Sequence, residues 1–364
     1  MKIFIIVSSL GGGGAERVAA VVGRGLSESN HEVSIVTDTL HPATYDVGDK
    51  VRLLALYPET TNKLWKWSAA IFKLRSHVRR YHPDVCIGIA SACSVISKFA
   101  CLFTGIPTVM TEHSAFEFVD SENFGFLRNL KYRCAIDKLF PLVTVLTRPD
   151  LEIAKTRLKH VVVMHNPSTF PQYTGELHKD KIILAVGRLF DWHYKGFDIL
   201  IQAWAKISNN HPDWKIKIAG NGTPDDFKFL KKKADDLGVS DSIDFLGFQT
   251  DMIKLYREAA IFVLSSRSEG LPMVLIEAMS QGCAPVATDF KGRTREIITS
   301  DKEGLLCPPE RPDLLAKNLE MMIQDDAYRK NVQRQAIERS KAFNVDKIVS
   351  DWEVTLNNLC SKEI

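Results

Sequence analysis

Short apolar runs recur along the chain, most of them closing on a glycine, a polar turn or an acid before a stretch with helical spacing begins. Such runs read as parallel strands buried on both faces, since a sheet with one wet face would show strict alternation. In the first half they fall at MKIFIIVSSL, HEVSIVTD, Val51 to Leu56, Val85 to Ile89, Thr108 to Met110, Val143 to Leu146 and Val161 to Met164. A polar, Pro-rich stretch from His165 to Asp180 follows, and the pattern restarts at Lys181 with Ile183 to Leu189, Ile216 to Gly222, Ile243 to Phe248 and Ala260 to Leu264. Helical spacing is clear at Val18, Val21 and Val22 and from Phe197 to Ile207. The pattern predicts an α/β chain of two Rossmann-like βα domains, residues 1–168 and 169–342, followed by a last helix within 343–364.

The stretch SRSEGLPMVLIEA, Ser266 to Ala278, puts two glutamates eight residues apart around a Gly-Leu-Pro turn. Glu269 falls in the loop after a buried strand, Pro272 suits the first helical turn, and Glu277 sits about one turn into the helix. A helix start at the carboxyl end of a strand favours an anion, through the orphan N–H groups of Gly270, Leu271 and Met273 and through the dipole. Carboxylates accept hydrogen bonds from sugar hydroxyls, so the pattern fits a nucleotide sugar better than a bare phosphate. The plainer alternative is a loop acid and a helix acid that complements the dipole. Upstream, Arg188 at a strand end and Lys195 seven residues later form a natural diphosphate clamp, or else a solvated loop. Gly220 and Gly222 read first as tight-turn residues and second as places where a ligand meets the backbone.

The order GRL, KG, AGNG, FLGF, SEGLPMVLIEA, PVATD and EGLLCPP resembles the C-terminal domain of the retaining glycosyltransferases with the GT-B fold, the large family-4 group. The resemblance implies that Glu277 holds the nucleotide ribose, that Glu269 lies near the donor sugar, and that Arg188 and Lys195 neutralise the diphosphate. It also implies that the last helix, Phe343 to Leu359, crosses back to the first domain. One departure is FKGRTREII after Asp289, where a small Gly-rich turn is more usual. Arg293 and Arg295 there either add acceptor or phosphate contacts or are surface charge, the reading preferred.

Near the N-terminus a strand enters Gly11 to Gly14 and then Ala15-Glu16-Arg17. The glycines do not fit a dinucleotide fingerprint, because Glu16 or Arg17 falls where its third glycine belongs. The run resembles the loop of family-4 transferases that build polyprenol-linked or envelope glycans, which implies that Gly13 and Gly14 face the donor diphosphate. Glu16 and Arg17 are candidates on the acceptor side, and Glu112 is either an acceptor-side acid or a strand-end cap. His113 follows the strand IPTVM, and by resemblance it hydrogen-bonds the donor sugar. Asp38 reads as a strand-end turn residue.

Breaking the anomeric bond to a diphosphate builds negative charge on the leaving group, so Arg188, Lys195 and the glycine-loop N–H groups are expected to carry catalysis with His113 and Glu269. Retention, implied by resemblance, lets the departing phosphate accept the acceptor's proton. No cofactor or metal is expected: no Asp-x-Asp pair occurs, and the cysteines and histidines lack metal-ligand spacing.

Length and composition, 364 residues with 45% hydrophobic, agree with two cores. Seven cysteines without regular spacing point to buried thiols and a reducing compartment. Met1 to Leu10 is too short for a signal peptide, and no run of about 18 apolar residues marks a bilayer span. These features predict a cytoplasmic protein.

Charge is uneven, +5 over residues 1–168 against −2 over the rest. Thr60 to Pro83 holds six Lys or Arg and no acid, with Leu64, Trp67, Ile71, Leu74 and Val78 at helical spacing. The Lys63 to Arg80 helix therefore has two readings, an anionic-membrane anchor at the inner face or an ordinary helix packed on its sheet. Phe116 to Tyr132 has a similar character. A pI of 8.4 without a recognition motif argues against nucleic acid. The leading expectation is transfer from a UDP- or GDP-sugar to a lipid-linked or envelope glycan acceptor. The alternatives are a soluble transferase with a small acceptor and a non-catalytic nucleotide-sugar-binding subunit.

Overall fold

The computed structural model describes residues 1–57, 65–116 and 136–361. They divide into two compact units, Met1–Pro167 with Asn344–Ile364, and Ser168–Phe343. In chain order the first unit holds β1 (Lys2–Ile6), α1 (Gly14–Glu28), β2 (Glu32–Thr37), β3 (Arg52–Ala55), α2 (Lys66–Tyr81), β4 (Val85–Ile89), α3 (Ala90–Ala100), β5 (Thr108–Thr111), β6 (Leu142–Val145), α4 (Arg148–Lys155) and β7 (Val161–Val163). The second unit holds β8 (Asp180–Val186), α5 (Trp192–Lys195), α6 (Phe197–Ala205), β9 (Lys215–Ala219), α7 (Pro224–Asp236), β10 (Ile243–Gly247), α8 (Met252–Glu258), β11 (Ala259–Leu264), α9 (Met273–Ser280), β12 (Ala284–Thr288), β13 (Leu305–Cys307), α10 (Pro312–Gln324) and α11 (Asp326–Ser340). The last helix, α12 (Val345–Ser361), returns to the first unit.

Each unit is built on a parallel sheet, ordered β3-β2-β1-β4-β5-β6-β7 in the first and β10-β9-β8-β11-β12-β13 in the second. Helices cover both faces of such sheets, which is why VCIGI of β4 and AAIFVL of β11 are buried at every position. Edge strand β3 leaves Arg52 and Leu53 exposed. The chain reverses its direction across the sheet between β1 and β4 in the first unit, and between β8 and β11 in the second. Those two crevices are where loops leave opposite sides of adjacent strands, and so where ligands of open α/β sheets bind.

α12 is fixed to α1 by close approach. A Cβ on Gly25 would lie 2.4 Å from the Val349 side chain, so a glycine is required there. Trp352 and Leu356 of α12 are buried in the same core as Ile3, Ile5 and Leu26, each contributing roughly 1.5–3 kcal/mol by burial. His31 and Glu353 add a polar contact at 2.9 Å.

Candidate active site

At the β8/β11 crevice, two loops are tied together by adjacent serines. Ser265 Oγ donates to the Lys195 carbonyl at 2.9 Å, and Ser266 Oγ donates to Glu269 Oε1 at 2.9 Å. Lys195 Nζ completes the circuit with Glu269 Oε1 at 2.6 Å. Gly196 makes the approach feasible: its φ is +65°, and a Cβ there would lie 2.0 Å from the Ser265 carbonyl oxygen. Lys195 and Glu269, two of the expected site residues, are thus in direct contact, and a cation and a carboxylate face the same crevice.

The other expected residues of this unit surround that pair in different states. Glu277, nearly inaccessible at 3% exposure, accepts from Thr169 Oγ1 at 3.0 Å and from the Tyr256 hydroxyl at 3.2 Å. Arg188 follows β8 but turns to Asp191, at 2.6 Å, and lies over the Phe190 ring with its side chain 64% exposed. The structure therefore does not bring Arg188 and Lys195 onto one partner; each cation has its own carboxylate. Gly220 and Gly222 face the loop after β8, where a Cβ would meet Gly187 O at 1.8 Å and Leu189 Cβ at 2.7 Å, so packing alone demands both glycines. Pro272 is the N-cap of α9 rather than a first-turn residue, and Gly270 precedes it in the turn. Leu271 is buried.

In the first unit, Gly13 is the N-cap of α1 and Gly14 its first residue. The loop N–H groups expected to meet a diphosphate are partly taken. Glu16 accepts from Gly12 N at 3.0 Å, from Gly13 N, and from Ser9 Oγ at 2.7 Å, so its carboxylate caps the start of α1. Glu16, at the third helical position, thus reaches back to the helix start, a contact the sequence pattern did not reveal. Arg17 stacks on Tyr45, with 5.9 Å from guanidinium to ring centre. Glu112 is buried beyond β5 and accepts from Ser91 Oγ at 3.2 Å. Asp38 accepts from Leu40 N at 2.9 Å, a strand-end turn.

His113 has a defined tautomer. Thr111 Oγ1 spends its single proton on the Gly88 carbonyl, at 2.9 Å, and accepts from Ala90 N at 3.3 Å. Its contact with His113 Nε2 at 3.0 Å must therefore be a hydrogen bond donated by the ring. Nδ1 is left as the ring's acceptor, buried beside the Asn166 side chain. Burial pushes the ring's pKa down to about 4, against the opposing influence of Asn166, so the ring is neutral at pH 7. Glu112, His113, His165 and Asn166 line one pocket with Val18 and Trp352.

Residues 12–167 match Glycosyltransferase Family 4, and residues 168–339 match Glycosyl transferases group 1. The chain is a family-4 glycosyltransferase. Over 97% of both chains it is 28% identical to the GalNAc-alpha-(1->4)-GalNAc-alpha-(1->3)-diNAcBac-PP-undecaprenol alpha-1,4-N-acetyl-D-galactosaminyltransferase of Campylobacter jejuni. It is 27% identical to the amylovoran biosynthesis glycosyltransferase AmsD of Erwinia amylovora, over 98% of this chain and 99% of that one. Its fold matches that of HepE from Anabaena, solved with UDP and glucose, with a TM-score of 0.78 at 20% identity over 98% of this chain and 100% of the other. The architecture of this glycosyltransferase is GT-B.

The glycosyltransferase also uses residues that the sequence pattern did not single out. Arg267 Nη1 and Nη2 donate to the two oxygens of Asp198 at 2.8 and 2.9 Å, and Nε donates to Glu310 at 2.8 Å. Its own N–H donates to the Tyr194 carbonyl at 2.8 Å. Burial raises the Asp198 pKa, yet the paired hydrogen bonds and charge of Arg267 outweigh it and hold the carboxyl below its usual range. The fork thus locks the segment carrying Lys195 to the segment carrying Glu269. An Arg and an Asp sixty-nine residues apart give no sequence signal until the two loops are adjacent. One reading needs correction: Arg293 is buried rather than surface charge, whereas Arg295 is exposed as expected and pairs with Asp289 at 2.7 Å. Lys63, Leu64 and the segment Glu117 to Tyr132 lie outside the described residues.

Proposed function

We propose that this glycosyltransferase moves a sugar from a UDP- or GDP-sugar, with retention of anomeric configuration, to a lipid-linked glycan acceptor. The observation that carries the reading is the Lys195–Glu269 contact, locked by Ser265, Ser266 and the Arg267 fork at the switch point of the second sheet. Prearranged cations stabilise a leaving diphosphate without reorganising during the reaction. Lys195 is such a cation, and Arg188 becomes a second when it exchanges Asp191 for phosphate oxygens. Glu269 spends Oε1 on Lys195 and Ser266, an arrangement suited to orienting a sugar hydroxyl rather than to forming a covalent bond. In this scheme the departing phosphate accepts the acceptor's proton, and neither a protein nucleophile nor a metal is assigned. His113 Nδ1, a neutral acceptor, receives a hydrogen bond from a donor-sugar hydroxyl. Glu277 takes the ribose hydroxyls by exchanging one of its present donors.

The polyprenol-linked substrate named for the Campylobacter relative supports the acceptor class. No helix among the described residues is long and apolar enough to cross a membrane, so the proposal meets a membrane-anchored acceptor through the cationic helix α2. Its inner face, Ala70, Leu74 and Val78, packs in the core, while Trp65 and Phe72 are exposed, which supports a membrane role for the outer face.

A panel of nucleotide sugars screened by thermal shift, followed by transfer to a polyprenol-diphosphate glycan and NMR of the new linkage, tests the reading. A bound donor at a hundred times its Kd adds about 2.7 kcal/mol of stability. A β-linked product from an α-linked donor would remove retention, and transfer only to water-soluble acceptors would remove the lipid-linked class.

A further inference from the structure

Beyond the cationic helix, the first unit exposes a second apolar element. Phe103, in the turn after α3, is 97% exposed, and its φ of +62° lies in the left-handed region that bulky residues avoid. The turn around it is firmly built. Thr104 N and Oγ1 both donate to the Cys101 carbonyl, at 3.1 and 2.7 Å, and Arg75 Nη2 reaches from α2 to the Leu102 carbonyl at 3.0 Å. Arg75 stands one turn beyond Phe72, so its guanidinium joins the exposed stripe of α2 to this turn. Trp65, Phe72 and Arg79 follow one another at seven-residue intervals, two helical turns, and share the outward stripe opposite Ala70, Leu74 and Val78. Phe99 and Leu102 add partly exposed apolar surface beside Phe103.

Within these two elements the charge has one sign, and of their cations Asp38 at the end of β2 bears only on Lys66. α2 carries Lys66, Lys73, Arg75, Arg79 and Arg80, and Lys98 stands with Arg75 near Cys101. Neither α2 nor the stretch 90–107 contains an Asp or Glu. Exposed aromatics flanked by cations match a bilayer surface, where rings enter the headgroup boundary and cations meet anionic lipid.

We propose that the Phe99–Gly105 turn is a membrane-inserting wedge, with Phe103 at its tip, acting together with the outward stripe of α2 on an anionic lipid surface. The proposal rests on the lipid-acceptor reading above and adds to it a specific second contact. A cationic helix alone would be released by salt, whereas a wedge retains part of the binding when charges are screened.

The test is sedimentation of the full chain with vesicles of phosphatidylcholine and phosphatidylglycerol, at low and high salt, with nucleotide-sugar hydrolysis in water measured in parallel. Phe103→Asn is the informative variant, since Asn adopts left-handed backbone readily and the side chain touches little. We expect Phe103→Asn to lower vesicle binding about tenfold and to shrink the salt-resistant part to what Trp65 and Phe72 supply, with Phe103→Trp restoring both and hydrolysis unchanged throughout. Vesicle binding by Phe103→Asn equal to the wild type's overturns the wedge. If charge reversal at Lys73 and Arg79 still abolishes binding, the lipid-acceptor reading survives that failure. A wild type that ignores the vesicles sinks both. Self-association of the wild type that Phe103→Asn abolishes, without vesicle binding, would reassign the patch to a second copy of this chain.

Discussion

The two sheets present opposite chemistry at their switch points. In the second unit, the crevice between β8 and β11 holds a cation and a carboxylate in contact, each steered by a neighbouring serine. At the first unit's carboxyl edge the carboxylate of Glu16 is spent on its own helix start, and the ring of His113 is held neutral. The difference follows from how each loop satisfies its backbone. A glycine loop without side chains leaves N–H groups that an internal acid must cap, whereas the turn after β11 is flanked by serines and leaves its acid for a lysine. One edge is suited to stabilising developing charge, and the other to offering neutral hydrogen bonds.

The sharpest way to break this contrast is to remove the cations. Lys195→Ala and Arg188→Ala should each lower turnover about a hundredfold, on the order of 3 kcal/mol of barrier, in steady-state transfer assays. Arg188→Ala should leave thermal stability almost unchanged, because its pair with Asp191 is exposed and worth little. Near-wild-type turnover in either variant would remove that cation from the chemistry.

The neutral edge has its own signature in pH. His113 has its pKa lowered from 6.5 to about 4 in the folded chain, so the unfolded chain takes up the proton first as pH falls. Stability from this group is complete above about pH 6.5, declines through the window down to pH 4, and totals on the order of 3 kcal/mol. Urea unfolding at several pH values should show that slope in the wild type and lose most of it in His113→Asn. Asn places an amide near the position of Nδ1, so His113→Asn should also retain more transfer activity than His113→Ala. Identical pH slopes in the wild type and His113→Asn would mean that the ring is not held neutral.

Much of this contrast was legible in the sequence, and the illegible part has a common cause. Buried parallel strands announce themselves as unbroken apolar runs, and the Glu269–Glu277 spacing survives as a local pattern around one turn. Long-range partners leave no such trace. Nothing near Arg267 names Asp198, nothing near Glu277 names Thr169 or Tyr256, and the capping role of Glu16 depends on backbone geometry that four glycines leave open. Arg293 was read as surface charge because basic residues after a strand usually are, yet tertiary packing buries it. The helix α2 had a split reading, since helical spacing identifies one apolar face and says nothing of Trp65 and Phe72 on the other.

The Arg267 fork gives an intermediate effect. Breaking its part-buried pair with Asp198 should cost about 2 kcal/mol of stability, less than a fully buried pair would. Arg267→Lys keeps the charge but not the two-pronged geometry, so it should recover much of the stability while leaving Lys195 less well placed. The expected kinetic result is a fall in kcat larger than any rise in KM. If Arg267→Lys matches the wild type in kcat, the fork is structural only and does not position Lys195.

The smallest effect sharpens the comparison from the glycine side. Glu16→Gln keeps a side chain able to reach the N–H groups of Gly12 and Gly13 but removes its charge. Losing a charge-assisted cap at a helix start should destabilise the chain by about 1 kcal/mol or less, measured by urea unfolding. The same change weakens the internal occupant of those N–H groups. If a diphosphate must displace the Glu16 carboxylate to use them, UDP or GDP should bind a few-fold more tightly to Glu16→Gln in calorimetry, despite the lower stability. Tighter binding with lower stability is a combination that general loosening does not produce, because loosening weakens both. Weaker nucleotide binding by Glu16→Gln would show instead that Glu16 holds the loop in its binding shape, and that the loop meets its ligand with the cap in place.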